Sequence, residues 1–156
     1  MPVVVPLLCL VTVAVRGAEA GLLPGLWFAA TGCRLALADL VERRLPNALT
    51  LPGLALAAMA ACRDPPVGLW MLGAAALMTV CWRVGAVGMG DVKLSIGLCG
   101  AVALVGGASA ALTACAAAVV LCGLLALDAL RSGDRHIPLG PPLLLAAWVG
   151  VVLSPA

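Results

Sequence analysis

The chain has 156 residues, of which 64% are hydrophobic and 10% are charged, and its mean hydropathy is +1.19. Soluble domains carry about 25% charged residues and cover themselves with polar side chains, so this composition excludes an ordinary soluble fold. The net charge of +2 comes without a basic stripe, and nothing in it indicates nucleic acid as a partner. The sparse charges cluster between apolar runs, which is typical of a polytopic helical membrane protein.

Seven apolar segments lie between the charge clusters, and we predict them to be the transmembrane helices of a single domain over 1–156. The segments are roughly 2–15, 22–40, 50–62, 67–84, 92–105, 108–127 and 138–154. A span needs about 20 apolar residues, so 2–15, 50–62 and 92–105 are short and must tilt, recruit flanking residues or thin the bilayer. The predicted fold class is therefore an all-α membrane bundle with seven spans, or six if 2–15 does not cross. The oligomeric state is left open.

The distribution of basic residues predicts the orientation of these helices. Loops 41–49, 84–91 and 128–137, with their flanks, hold six basic residues, whereas the alternate loops hold only Arg16 and Arg63. Because cytoplasmic loops of membrane proteins are enriched in Lys and Arg, the first set is predicted to face the cytoplasm. The protein is accordingly expected in the cytoplasmic (inner) membrane.

Two aspartates, Asp39 and Asp91, are predicted to lie at the same depth on this cytoplasmic side, because two spans separate them along the chain. Carboxylates near hydrocarbon are costly and persist mainly where they face a cavity and serve a function. Two neighbouring carboxylates share one proton, so that one activates a water and the other polarises a carbonyl, as peptide hydrolysis requires. Gly88 and Gly90 lack a Cβ, so the backbone beside Asp91 can bend and a substrate can approach closely.

A plainer interpretation of either aspartate is an interfacial or helix-capping residue, and the residue pattern alone does not decide between the two. The seven cysteines lie in apolar runs without a CxxC pair, which indicates packing residues rather than metal ligands. We therefore expect neither a metal nor a cofactor. Asp128, Asp134 and His136 are predicted to be loop residues, and Arg43 and Arg44 either anchor the loop or bias Asp39.

Three stretches of the sequence resemble a known family. "GMGDVKL" at 88–94 is similar to the GxGD motif of membrane-embedded aspartyl proteases, in the form found in type IV prepilin peptidases. "DLVERRLPNALTLPGL" at 39–54 resembles the first motif of that family, an aspartate followed by a basic loop and a proline-marked helix start. "IPLGPPLLLA" at 137–146 resembles its late proline-glycine-proline signature, usually seen with Phe where Leu139 stands.

The resemblance implies a membrane aspartyl endopeptidase with Asp39 and Asp91 as its catalytic pair. Members remove the short basic leader of prepilins or pilin-like proteins at the cytoplasmic face. The other residues that the motifs mark are expected to bind substrate or shape the site: Gly88, Gly90, Lys93, Pro46, Asn47, Pro138, Gly140 and Pro141. Since Lys93 follows Asp91 by two positions on a helix, it is expected to support the structure or contact lipid rather than pair with Asp91.

The chain departs from the longer members of this family in one respect. Those carry a cytoplasmic insert with paired CxxC cysteines and also methylate the new N-terminus, whereas the loop at 41–49 is short and lacks cysteine. The layout resembles the short peptidases of tight-adherence (Tad/Flp) pilus systems, with an additional apolar segment ahead of the Asp39 helix. Methyl transfer is left open.

Two other functions are compatible with paired aspartates in a membrane bundle. The first alternative is a small proton-coupled transporter in which the pair relays protons. Transporters often contain internal repeats, and none is visible here. The second is a membrane scaffold without chemistry, which does not require three motifs in family order.

Overall fold

A computed structural model of the protein describes residues 22–132 and 137–154, and these residues form helices and short connections. The helices are α1 (Leu22–Glu42), α2 (Asn47–Ala61), α3 (Pro65–Arg83), α4 (Met89–Ser132) and α5 (Gly140–Leu153). Their bounds follow the predicted segments 22–40, 50–62, 67–84 and 138–154, which confirms the all-α class. The predicted segment 2–15 lies outside the described residues.

Helix α4 is a hairpin of two helices that reverse at Gly107. This glycine has φ 66° and ψ −160°, a conformation that residues with a Cβ rarely adopt. Side chains pair across the two halves: the thiols of Cys99 and Cys115 are hydrogen-bonded, and Ala103 packs with Ala111. The predicted segments 92–105 and 108–127 are therefore two antiparallel helices joined by a minimal turn.

Proline and left-handed backbone set where the helices begin and end. Pro46 precedes α2 in an extended conformation, while α3 and α5 have proline in their first turn, where a missing N–H costs nothing. Arg43 has φ 52°, a left-handed conformation that commonly ends a helix, and its N–H donates to the carbonyl of Asp39. The connection between α1 and α2 is thereby kept short.

The core lies where α1, α2 and α5 pack on the α4 hairpin. Phe28, Leu35 and Leu94 are buried at its centre, and a second cluster around Ala57 and Met71 joins α2 and α3 to α4. The outer faces of the helices are also apolar, with large exposed side chains that include Leu37, Leu69, Leu72, Val80, Val119, Leu124 and Leu130. An apolar exterior of this extent is expected for a surface covered by lipid.

By length and composition, α3 and the α4 hairpin each contain a stretch long and apolar enough to cross a membrane. By contrast, α2 has 15 residues and α5 has 14. At 1.5 Å per residue these helices are about 22 Å long, against about 30 Å of hydrocarbon in a typical bilayer. The prediction that 50–62 is short for a span is confirmed, and α5 is shorter than the predicted 138–154.

Candidate active site

Asp39 lies in the last turn of α1 and is 6% exposed. The C-terminal end of a helix is unfavourable for a negative charge, so this carboxylate needs a donor from elsewhere. That donor is the N–H of Gly140, 2.7 Å from Asp39 Oδ2, at the start of α5. Pro141 and Pro142 have no N–H, so Gly140 is the one residue among the first three of α5 with an amide N–H to donate. This N–H is directed at Asp39.

The close approach of α5 to Asp39 requires a glycine at position 140. A Cβ on Gly140 would lie 2.8 Å from Asp39 Oδ2 and 3.1 Å from Asp39 Cβ. Real Cβ atoms do not approach other atoms so closely, so a larger residue would displace either the carboxylate or the helix. The Gly140 position therefore fixes Asp39 through both a hydrogen bond and the absence of a side chain.

Asp91 lies in the first turn of α4, three residues after Gly88. Its Oδ2 accepts a hydrogen bond from the N–H of Gly88 at 3.1 Å, and the carbonyl of Gly88 accepts from Val92. This is half of a capping box, in which an acidic side chain in the first turn satisfies the amide before the helix. Helix capping therefore accounts for Oδ2 of Asp91.

Capping does not account for the other carboxylate oxygen. Asp91 Oδ1 is buried and has no hydrogen-bond partner among the described residues. A buried polar atom without a partner is costly and occurs preferentially at functional sites. Asp91 is also close enough to Asp39 for the charge of one carboxylate to act on the other. The two aspartates therefore lie at the same end of the bundle, and Oδ1 of Asp91 is the buried carboxylate oxygen without a hydrogen-bond partner among the described residues.

The glycine and proline positions around the pair shape the site from several elements. A Cβ on Gly90 would lie 2.9 Å from the Cβ of Leu45, so the α4 start packs directly on the loop after α1. Pro46 and Pro138 precede α2 and α5, and Pro141 is in the first turn of α5. The start of each helix near the aspartates is thus set by a residue that the motifs mark.

Lys93 contacts α2 instead of a carboxylate. Its Nζ donates a 3.0 Å hydrogen bond to Oδ1 of Asn47, which joins the first turn of α4 to the first residue of α2. Of the expected alternatives, this contact favours a supporting role for both residues. The indole of Trp27 donates to the carbonyl of Leu49 at 2.8 Å and ties the same end of α2 to α1.

Replacing Lys93 with methionine, or Asn47 with alanine, is expected to lower the free energy of unfolding by about 1 kcal/mol, because each change breaks the same hydrogen bond. The double variant should then be little worse than either single variant. Thermal unfolding of the purified protein in detergent measures all four forms. Additive losses would contradict the contact and would indicate that Lys93 acts elsewhere, for example on lipid headgroups.

Three further charged positions that the sequence singled out can be placed in the fold. Arg43 and Arg44 are exposed, as expected of residues that anchor a loop. The prediction that Asp128 is a loop residue is wrong, because α4 continues to Ser132. Asp134 and His136 lie outside the described residues. Among the described residues, no group of three or more His, Cys, Asp or Glu side chains is placed to hold a metal ion.

Sequence reasoning singled out both aspartates but did not predict the amide of Gly140 as the partner of Asp39. The two residues are 101 positions apart, and the one sequence signal for this contact is the run of a glycine and two prolines at 140–142. The contact of Leu45 with Gly90 was also missed. Both contacts depend on how the helices are rotated against each other, which the alternation of apolar and charged segments does not specify.

The fold and the site together define a class: an all-α bundle with an apolar exterior and two aspartates at one end. The sequence model of the type IV leader peptidase family matches residues 26–127, which include both aspartates. The chain therefore belongs to the type IV leader peptidase family. Membership makes it a polytopic membrane protein and implies aspartic peptidase activity on the leader peptides of prepilins. No curated protein and no solved structure matches the chain significantly.

Proposed function

We propose that this protein is a prepilin leader peptidase that uses Asp39 and Asp91 as its two catalytic carboxylates. The observation that carries the proposal is geometric: Asp39 at the end of α1 and Asp91 at the start of α4 lie at the same end of a membrane bundle, and Asp91 Oδ1 is buried without a partner among the described residues. Each is held by a backbone amide next to it, from Gly140 and Gly88 respectively. Helix capping does not explain the second oxygen of Asp91, which is buried without a partner among the described residues.

In the proposed mechanism the pair shares one proton, because two adjacent carboxylates do not both ionise easily. The ionised carboxylate takes a proton from water as the water attacks the scissile carbonyl, and the protonated one donates a hydrogen bond to that carbonyl oxygen. In this assignment Asp39 is the carboxylate that activates water, and the amide of Gly140 holds it in place through a 2.7 Å hydrogen bond. Asp91 suits the protonated state because its free Oδ1 can carry the proton toward the substrate.

The active site is proposed to face the cytoplasm. Arg43, Arg44 and Lys93 lie at the same end of the bundle as the aspartates, whereas Arg63 follows α2 at the other end. This distribution agrees with the excess of basic residues on cytoplasmic loops. The substrate is then a membrane-anchored prepilin or pilin-like protein whose basic leader extends into the cytoplasm.

Co-expression with candidate prepilins tests the proposal directly. Membranes that contain this protein are expected to convert a prepilin to a shorter form, seen as a shift on a gel, with the new N-terminus read by mass spectrometry. Membranes without it should leave the full-length form. If no prepilin with a basic leader is shortened, and reconstituted protein moves protons across vesicles, the transporter alternative is correct instead.

A further inference from the structure

An apolar cavity of about 520 Å³ lies between α3, the two halves of α4 and α5. Among the residues that the structure describes, its lining is mainly alanine, leucine, valine and cysteine, with Ser95 as the one hydroxyl residue and no charged side chain. The hydroxyl of Ser95 already donates to the carbonyl of Val92, so it offers no free donor to a ligand. The volume is within the range of small-ligand pockets and is enough for a few aliphatic side chains.

The cavity borders the proposed active site. Val87 and Leu139 line it, and they directly precede Gly88 and Gly140, whose amides hold the two aspartates. Cys122, which also lines the cavity, is close enough to Asp91 to interact with its charge. A peptide with its scissile bond at the aspartates would therefore have one of its flanks at the mouth of this cavity.

We propose that the cavity binds the residues that follow the scissile bond of the substrate and that its apolar lining selects apolar side chains there. This inference rests on the proposed function and adds the binding site for one side of the cut. The leader on the other side is basic, and an uncharged apolar cavity without a polar partner strongly disfavours a positive charge. The leader must stay at the water-exposed end, so the residues after the cut are those that enter. Specificity then depends on the size and polarity of these residues.

A pair of variants in the second half of α4 tests the proposal. Ala118 lines the cavity, whereas Ala116, two residues earlier, is exposed and does not. Ala118→Phe is expected to lower kcat/KM at least about 10-fold for a prepilin with leucine or isoleucine after the cut, mainly through KM. The loss should be smaller for the same prepilin with alanines there. Ala116→Phe should match wild type on both substrates.

The outcomes separate this proposal from the proposed function. Wild-type protein that cuts neither prepilin contradicts the function itself. If the wild-type protein cuts the prepilins, and Ala118→Phe and Ala116→Phe are equally active on both of them, only the cavity proposal is overturned. The same holds if both variants lose activity to the same degree.

Native cysteines give a second measurement, which does not require a phenylalanine substitution in the cavity. In Asp39→Asn protein, which should bind prepilin without cutting it, added prepilin is expected to slow maleimide labelling of Cys122 several-fold. Labelling of Cys62, exposed at the far end of α2, should not change. If labelling of Cys122 is unaffected by prepilin but varies with the acyl chain of the surrounding lipid, a lipid chain occupies the cavity and the proposal is wrong.

Discussion

Replacing either Asp39 or Asp91 with asparagine is expected to reduce leader cleavage by at least about 10³-fold, while the protein remains inserted and abundant. Each change removes one member of a pair whose two roles, activating water and polarising the carbonyl, cannot be filled by the other. Asparagine preserves the structure, since its oxygen can still accept from the Gly140 amide at position 39 or the Gly88 amide at position 91. Purified variants assayed on a prepilin by gel shift give the rates.

This substitution also separates chemistry from helix capping at Asp91. Capping needs only an acceptor for the Gly88 amide, which asparagine supplies, so a capping residue would tolerate the change. Asp64→Asn is the matched control, because Asp64 is exposed before α3 at the other end of the bundle. That variant should cleave at the wild-type rate. Normal processing by Asp91→Asn would mean that Asp91 only caps α4 and would remove the basis of the peptidase mechanism.

Replacing Gly140 with alanine is expected to lower cleavage by about 100-fold with little change in the amount of inserted protein. The added Cβ would lie 2.8 Å from Asp39 Oδ2, so the carboxylate, or the α5 start that holds it, must shift. A displacement of about 1 Å at a catalytic group can reduce the rate by two orders of magnitude. The rate of leader removal, compared with the thermal stability of the same sample, measures the effect.

Gly123→Ala provides the control for this change. Gly123 lies in the second half of α4, is exposed, and a Cβ there would meet nothing within 4 Å. The substitution should leave cleavage unchanged and stabilise the helix by up to about 1 kcal/mol, because alanine favours helix more than glycine. Equal activity in Gly140→Ala and Gly123→Ala would show that Asp39 does not depend on the α5 amide.

Much of the helix pattern could be predicted from hydropathy and charge. Each described helix corresponds to a predicted segment, and even the break at Gly107 falls between the segments 92–105 and 108–127. The positions of Asp39 and Asp91 at one end follow from the even number of spans between them. These properties depend on position along the membrane normal, which the order of apolar and charged segments specifies directly.

The contacts of the site could not be predicted in the same way. The hydrogen bonds of Gly140 with Asp39 and of Lys93 with Asn47 depend on the rotation and tilt of each helix, and those follow from packing. Most of these helices carry apolar side chains on all of their faces, so the sequence does not mark one face as the face that packs inward. The end of α4 differs from the prediction because a helix can carry a charge in its final turns: α4 continues past Asp128 to Ser132.

The shortness of α2 and α5 has a consequence for the surrounding bilayer. Both helices begin beside the aspartates and extend only about 22 Å, so lipid next to them must compress or tilt to cover their apolar surface. The elastic cost of that deformation grows with acyl-chain length. A bilayer thinned beside these two helices would bring water closer to the end of the bundle that holds Asp39 and Asp91, where the proposed hydrolysis needs it.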